Sequence, residues 1–209
     1  MRRALLLTAL LALLAVSLSA QTAVVDRITG KVEYRLAGGS WQTASVGDRL
    51  PLNATISTGF GASAVLNLGS SVLEVRQLTR LTIEELADDG LSADVFVPVG
   101  RVRATVNAEA GRRADFQVRT PLSTASVRGT EFETDGWQLT VSNGIVEFAD
   151  LLNQRRNVGA QQESTVSGHG PSDPSDEADD KANLGDGGGP GEFTGGPASS
   201  GYITVRWSL

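Results

Sequence analysis

The stretch Asp115–Phe148, DFQVRTPLSTASVRGTEFETDGWQLTVSNGIVEF, decides the fold class. Phe116 and Val118 alternate with Gln117 and Arg119 up to Thr120-Pro121, and proline cannot donate to a strand ladder. Gly129, between Arg128 and Thr130, suggests a bulge or a close backbone approach. Phe132 then reads as a core anchor, and Gly144–Phe148 begins another strand after a turn. Three or four short strands separated by turns are expected, with no helical period.

The same texture extends toward the N-terminus. Val24, Ile28, Val32, Tyr34 and Leu36 share one parity while Arg27, Thr29, Lys31, Glu33 and Arg35 share the other. Successive strand side chains face opposite ways, so this is a strand or strand pair with one wet face. Gly38-Gly39 breaks it, and Trp41 begins a connection through Val46-Gly47-Asp48 to Leu50-Pro51-Leu52. Ala62, Ala64, Leu66 and Leu68 mark the next strand, and Gly69-Ser70-Ser71 a turn. Val72–Val75 and Leu78–Ile83 follow as short strands. Glu84–Asp89 is compatible with one helical turn, stopped by Asp88-Asp89-Gly90. Val95, Val97 and Val99 lead to Gly100, after which Val102, Ala104 and Val106 resume alternation. The pattern predicts an all-β, mainly antiparallel sandwich or roll, or a short β-solenoid.

Gly-x-Val followed by a charged residue recurs at Gly30–Glu33, Gly100–Arg103 and Gly144–Glu147. The intervals are too irregular for a simple repeat array. Each glycine sits where a turn feeds a strand, a place that favours positive φ.

Both termini differ from this middle. Arg2 and Arg3 precede an apolar run, Ala4–Val16, broken only by Thr8, and Ser17, Ser19 and Ala20 follow. That is the layout of a secretory signal peptide, with cleavage expected after Ser19 or Ala20, rather than of a retained anchor. Loss of Arg2 and Arg3 would move the formal charge from −6 to −8. An acidic chain without a basic stripe is a poor nucleic-acid binder. The chain has no cysteine, which excludes disulfides, thiolate metal sites, a cysteine nucleophile and a lipid-anchored lipobox. About 145 residues between Gln21 and Val166 suffice for one core.

Composition changes near Ser167. Residues 167–200 carry Asp173, Asp176, Glu177, Asp179, Asp180, Asp186 and Glu192 against Lys181, with a glycine triplet and four prolines. Such a segment is expected to be a disordered acidic linker. Alternation returns at Tyr202–Trp207, where Ile203, Val205 and Trp207 share one face, giving a terminal strand within 201–209 that could dock on this domain or on another protein.

Several quoted segments together resemble the FecR domain family. Gly59–Leu66 resembles its "T-G-x-x-S-x-A-x-L" strand, Gly69–Val75 its glycine-serine hairpin, and Val99–Val102 its "x-G-x-V" strand start. Phe116–Pro121 and Val127–Phe132 are similar to "F-x-V-x-T-P" and "V-x-G-T-x-F". The resemblance spans about Ile28 to Phe148, within a folded unit expected at 21–166 after a signal peptide at 1–20. It implies a β-rich extracytoplasmic module of the bacterial envelope. In FecR-type regulators a cytoplasmic segment grips a sigma factor ahead of a membrane helix. Here only Met1-Arg2-Arg3 precedes the apolar run, so the expectation is the extracytoplasmic domain alone, without a stable membrane span.

Candidate chemistry is sparse. His169, the single histidine, lies among glycines where no partner would position a general base. Glu84-Glu85 and Asp88-Asp89 are adjacent carboxylates, and Glu131, Glu133 and Asp135 would share one strand face. A glycosidase needs two carboxylates in unlike environments across a cleft, and a row of exposed like charges does not supply that. Asp173–Gly189 lacks the regular spacing of a calcium loop. Trp41, Trp137 and Trp207 could stack on sugar, although core packing is the plainer role. The expectation is a non-enzymatic module with no catalytic residue, cofactor or metal site. It would be periplasmic or secreted and would bind an envelope protein or sense a signal in the envelope, with a carbohydrate- or wall-binding module as the alternative. A small outer-membrane barrel is a third reading, weakened by few aromatics and short strands.

Overall fold

The computed structural model describes residues 22–87, 90–107, 115–167 and 170–176. Among these residues there is no helix, and nineteen strands form two large sheets. In chain order they are β1 (Thr22–Thr29), β2 (Val32–Arg35), β3 (Gln42–Thr43), β4 (Arg49–Pro51) and β5 (Thr55–Thr58). Next come β6 (Ser63–Asn67), β7 (Ser71–Val75), β8 (Arg80–Leu86), β9 (Ser92–Val99) and β10 (Val102–Val106). Then β11 (Asp115–Arg119), β12 (Ser123–Val127), β13 (Glu131–Thr134), β14 (Gln138–Asn143) and β15 (Ile145–Asp150) follow. The last are β16 (Arg155–Gly159), β17 (Gln162–Ser167), β18 (Gly170–Pro171) and β19 (Ser175–Asp176).

Sheet A runs β4-β1-β6-β7-β10-β13-β14-β17-β18, with β19 also on β17, and sheet B runs β3-β2-β5-β8-β9-β11-β12-β15-β16. Beyond β4 and β3, each order rises along the sequence. The chain lays a strand or hairpin in one sheet, crosses to the other, and moves steadily toward one end. This is a sandwich by layering and solenoid-like by winding, so the two expected architectures merge. It is not a closed barrel.

All pairings are antiparallel except β9 with β11. That exception has a simple cause. A single strand, β10, separates them by way of the opposite sheet, whereas a hairpin separates β7 from β10 and β10 from β13.

Alternation puts one continuous core between the sheets. Leu66, Leu73, Phe132 and Leu139 enter it from sheet A, and Ile56, Leu81, Phe116 and Phe148 from sheet B, all fully buried. Burying one such side chain contributes about 1.5–3 kcal/mol. The faces of β1 depart from the simple alternation. Ala23 and Val25 are the buried residues, not Val24, and the register shift between Val25 and Arg27 turns Ile28 back toward the core.

Two further expectations are corrected. Glu84–Leu86 continues β8 rather than forming a helical turn, because a second register shift between Ile83 and Glu85 keeps Leu86 packed on the core; Asp88 and Asp89 lie outside the described residues. Ordered chain also runs past Val166: Pro171 pairs with Val166, and both Gly170 and Pro171 are buried. Residues beyond Asp176, with most of the expected linker and the terminal strand, lie outside the described residues, as does the expected signal peptide.

The three Gly-x-Val motifs have one structural role. Each carries the chain from one sheet to the other, at β1–β2, β9–β10 and β14–β15. At Gly100 the requirement is strict. Its φ is +102°, and a Cβ there would lie 2.3 Å from Thr79 Oγ1 and 2.4 Å from Thr79 Cα.

Candidate functional site: the rim of turns

Strand register places many turns on the same edge of the sandwich. In sheet A, Val102 pairs with both Val75 and Thr134, and Ala64 pairs with Val75. In sheet B, Arg80 pairs with Val99, Arg119 with Phe96 and Thr124, and Ser123 with Asp150. The connections β5–β6, β7–β8, β9–β10, β11–β12, β13–β14 and β15–β16 therefore share one rim. At about 4.8 Å per strand, nine strands make that rim roughly 40 Å long.

Each of these six turns carries or adjoins an exposed apolar side chain. They are Phe60, Leu78, Leu122, Trp137 and the pair Leu151-Leu152, with Val99 at the end of β9 leading into the β9–β10 turn. Phe60 is 87 % exposed and Trp137 56 %. Single exposed apolar residues are ordinary, but a contiguous apolar strip signals an interaction site.

Buried hydroxyls behind the tips fix them. Thr79 Oγ1 accepts the Arg101 N–H at 2.9 Å. Thr120 Oγ1 accepts the Leu122 and Ser123 N–H groups, and Ser123 Oγ donates to Gly136 O at 2.8 Å. Thr134 Oγ1 accepts Gly136 N–H, and Asp135 Oδ1 accepts Trp137 and Gln138 N–H. Gln77 Oε1 ties the Phe60 turn to the Leu78 turn through Gly61 N–H at 2.8 Å. Leu78 holds φ at +55°, unusual for a branched side chain. Backbone strain of this kind clusters at binding sites.

A cleft of about 810 Å³ opens beside the Phe60 and Leu78 turns onto the outer face of sheet A. Its charged wall is a cross-strand ladder. Arg76 bridges Glu74 at 2.7 Å and Glu133 at 3.1 Å, and Arg101 bridges Asp135 at 2.8 Å. Arg103 Nε donates to Glu131 at 3.0 Å. Glu131 and Glu133 of β13 and Asp135 just after it each meet an arginine: Arg103 of β10, or Arg76 and Arg101 next to the ends of β7 and β10. The hydrogen bond from Arg101 to Asp135 and that from Arg103 to Glu131 raise both guanidinium pKa values. Desolvation pushes the Asp135 carboxyl up, but the Gln138 N–H, Arg101 and the Trp137 N–H outweigh it and hold it below 3.8.

The other perturbed acid lies on the outer face of sheet B. Burial, then the Glu85 and Asp115 carboxylates, push Asp94 up to about 6, although Arg119 Nε donates to it at 2.8 Å. Arg119 also pairs with Glu84, which separates that residue from Glu85 in environment. The hollow beside Asp94 is about 140 Å³, below the usual 300 Å³ or more of a ligand pocket. Among the described residues no cluster is arranged to hold a metal ion.

Trp41 and Trp137 are both exposed rather than packed in the core. Trp41, at the β3 edge of sheet B, stacks with Arg35 and Arg80, 5.0 and 5.5 Å from its ring centre, while Trp137 sits on the rim. A polar trough of about 770 Å³ on sheet B, lined by Gln117, Thr124, Ser126 and Asn157 among others, contains neither. His169 and Trp207 lie outside the described residues, and Asp173 pairs with Arg156. The rim itself was visible only as apolar residues inside turn sequences, such as Phe60 between glycines and Trp137 after Asp-Gly.

Residues 54–147 match the family model described as FecR protein. Over that stretch the chain is similar to the FecR domain family. The matched residues include two corners of this rim, Thr79 against Gly100 and Thr120 against Gly136, and one at the opposite edge, Thr130 against Gly144. The FecR motifs are thus architectural, shaping corners at both edges of the sandwich. Two crystal structures of a candidate anti-sigma factor from Parabacteroides distasonis are similar to the chain at 19 % identity and a TM-score of 0.49. They cover 62 % of this chain, which spans 63 % and 64 % of theirs. No curated protein matches it. No helix among the described residues is long and apolar enough to cross a membrane.

Proposed function

We propose that this chain is an exported, non-enzymatic FecR domain that recognises a protein of the bacterial envelope through its rim of turns. The observation that carries the reading is the row of six turns on one rim with exposed apolar tips, those at Leu122 and Trp137 held by buried hydrogen bonds. Preorganised tips lose little entropy on binding. The charges beside them are already paired within the chain, so the partner should offer an apolar strip rather than a strongly charged one. Export rests on the signal-peptide layout of residues 1–20, with the folded unit starting near Gln21.

The test is a triple variant, Phe60→Ser, Trp137→Ser and Leu151→Ser, in the mature protein. It should keep the parent's thermal midpoint within a few degrees while losing co-purification of an envelope partner in equal stoichiometry. Retained binding, or hydrolase activity that survives stringent purification, would sink the proposal. The carbohydrate reading loses its motive here, since Trp41 and Trp137 do not share a surface. Retention on purified peptidoglycan, abolished by Trp137→Ala, would revive it.

A further inference from the structure

Sheet A has ten strands and sheet B nine. The winding rule accounts for the difference: after each strand or hairpin in sheet A the chain returns to sheet B, just outside the last strand there. After β17, β18 and β19 in sheet A, the next strand belongs beside β16.

The edges point to the same place. At the other end of the sandwich, β3 is two residues long, and β4 is three residues including Pro51, which has no N–H. At this end β17 is covered by β18 and β19. β16 is five residues long and pairs as a strand only with β15 among the described residues. Its two arginines are drawn aside, Arg155 to Glu147 and Arg156 to Asp173.

We propose that Tyr202–Leu209 of this same chain pairs with β16 as the tenth strand of sheet B. The alternation of Ile203, Val205 and Trp207 with Tyr202, Thr204 and Arg206 suits an edge strand with one face turned toward the Pro171–Pro174 stretch that closes the end of the core. Twenty-five residues, 177–201, connect it to Asp176. A glycine-rich chain of that length spans about 25–30 Å on average, against a layer spacing of about 10 Å. Such tethering gives an effective concentration in the millimolar range, which favours the chain's own strand over a second copy.

The absence of native cysteine makes the test clean. Asn157→Cys, on the outer face of β16, is combined singly with cysteine at 202, 204 or 206 and, in a second set, at 203, 205 or 207. Under mild oxidation the first set should give an intramolecular disulfide in at least one pair, and the second set none. In the cysteine-free full chain, Val205→Pro should speed hydrogen exchange at residues 155–159 by tenfold or more, leaving residues 132–141 unchanged. Disulfide-linked dimers in place of monomers would assign the edge to a second copy. No disulfide, with exchange unaffected by Val205→Pro, would overturn the pairing altogether.

Discussion

Gly100 shows what a single position can demand. Its backbone is left-handed, and Thr79 fills the space where a Cβ would go. Gly100→Ala should therefore destabilise the domain by roughly 2–5 kcal/mol, combining strain with overpacking. Gly38 also has positive φ, but open space around it, so Gly38→Ala should cost only about 1 kcal/mol. Urea denaturation of both variants checks the contrast, and equal losses would refute it. Asp94 and Asp135 should respond to pH in opposite senses. Asp94 has its folded pKa near 6, above 3.8, so its charge opposes folding at neutral pH and is relieved as pH falls from 6 toward 4. The stability of Asp94→Asn relative to the parent should thus be greatest near pH 7 and decline toward pH 4. The Asp135 pKa is lowered, so its contribution is present above about pH 4 and is lost as pH falls below that. Asp135→Asn should flatten the acid limb of the stability curve. Denaturation series from pH 3 to 7.5 measure both, and parallel curves would count against them.

Between neighbouring strands, the ladder of Arg76, Arg101 and Arg103 against Glu131, Glu133 and Asp135 links β7, β10 and β13. Its members are between 27 % and 50 % exposed, so each pair should be worth little. A double-mutant cycle on Arg101 and Asp135 should return about 0.2–1 kcal/mol, whereas Phe132→Ala in the core beneath should cost about 3–5 kcal/mol. A coupling above 2 kcal/mol would show that the ladder matters more than its exposure implies. Strand existence was legible at this scale, because Val102, Ala104 and Val106 or Phe116 and Val118 alternate without interruption. Faces were less so. The extra residue at Asp26 reverses the parity of β1, and one at Glu84 lets β8 run through residues that look helical. A bulge is set by the partner strand, which local pattern does not contain.

Over the whole molecule, the sequence disclosed the all-β class and the FecR corners but not the way the corners line up. Rim formation depends on every crossing strand having similar length and compatible register. Phe60, Leu78 and Trp137 are far apart in sequence and look like unrelated turn residues until the sheets are stacked. The same geometry places Trp41 at the β3 edge of sheet B and Trp137 on the rim, two of the three tryptophans that the sequence offers for a sugar platform. The account's central claim is that this rim is the recognition surface. The most direct measurement places a photocrosslinking residue, in living cells, at Phe60, Leu122, Trp137 or Leu151 and, as controls, at Val46 and Asn107 away from this rim. The account predicts one discrete envelope protein crosslinked from the four rim positions and not from the controls. Equal crosslinking from both sets, or crosslinking confined to the controls, would contradict it.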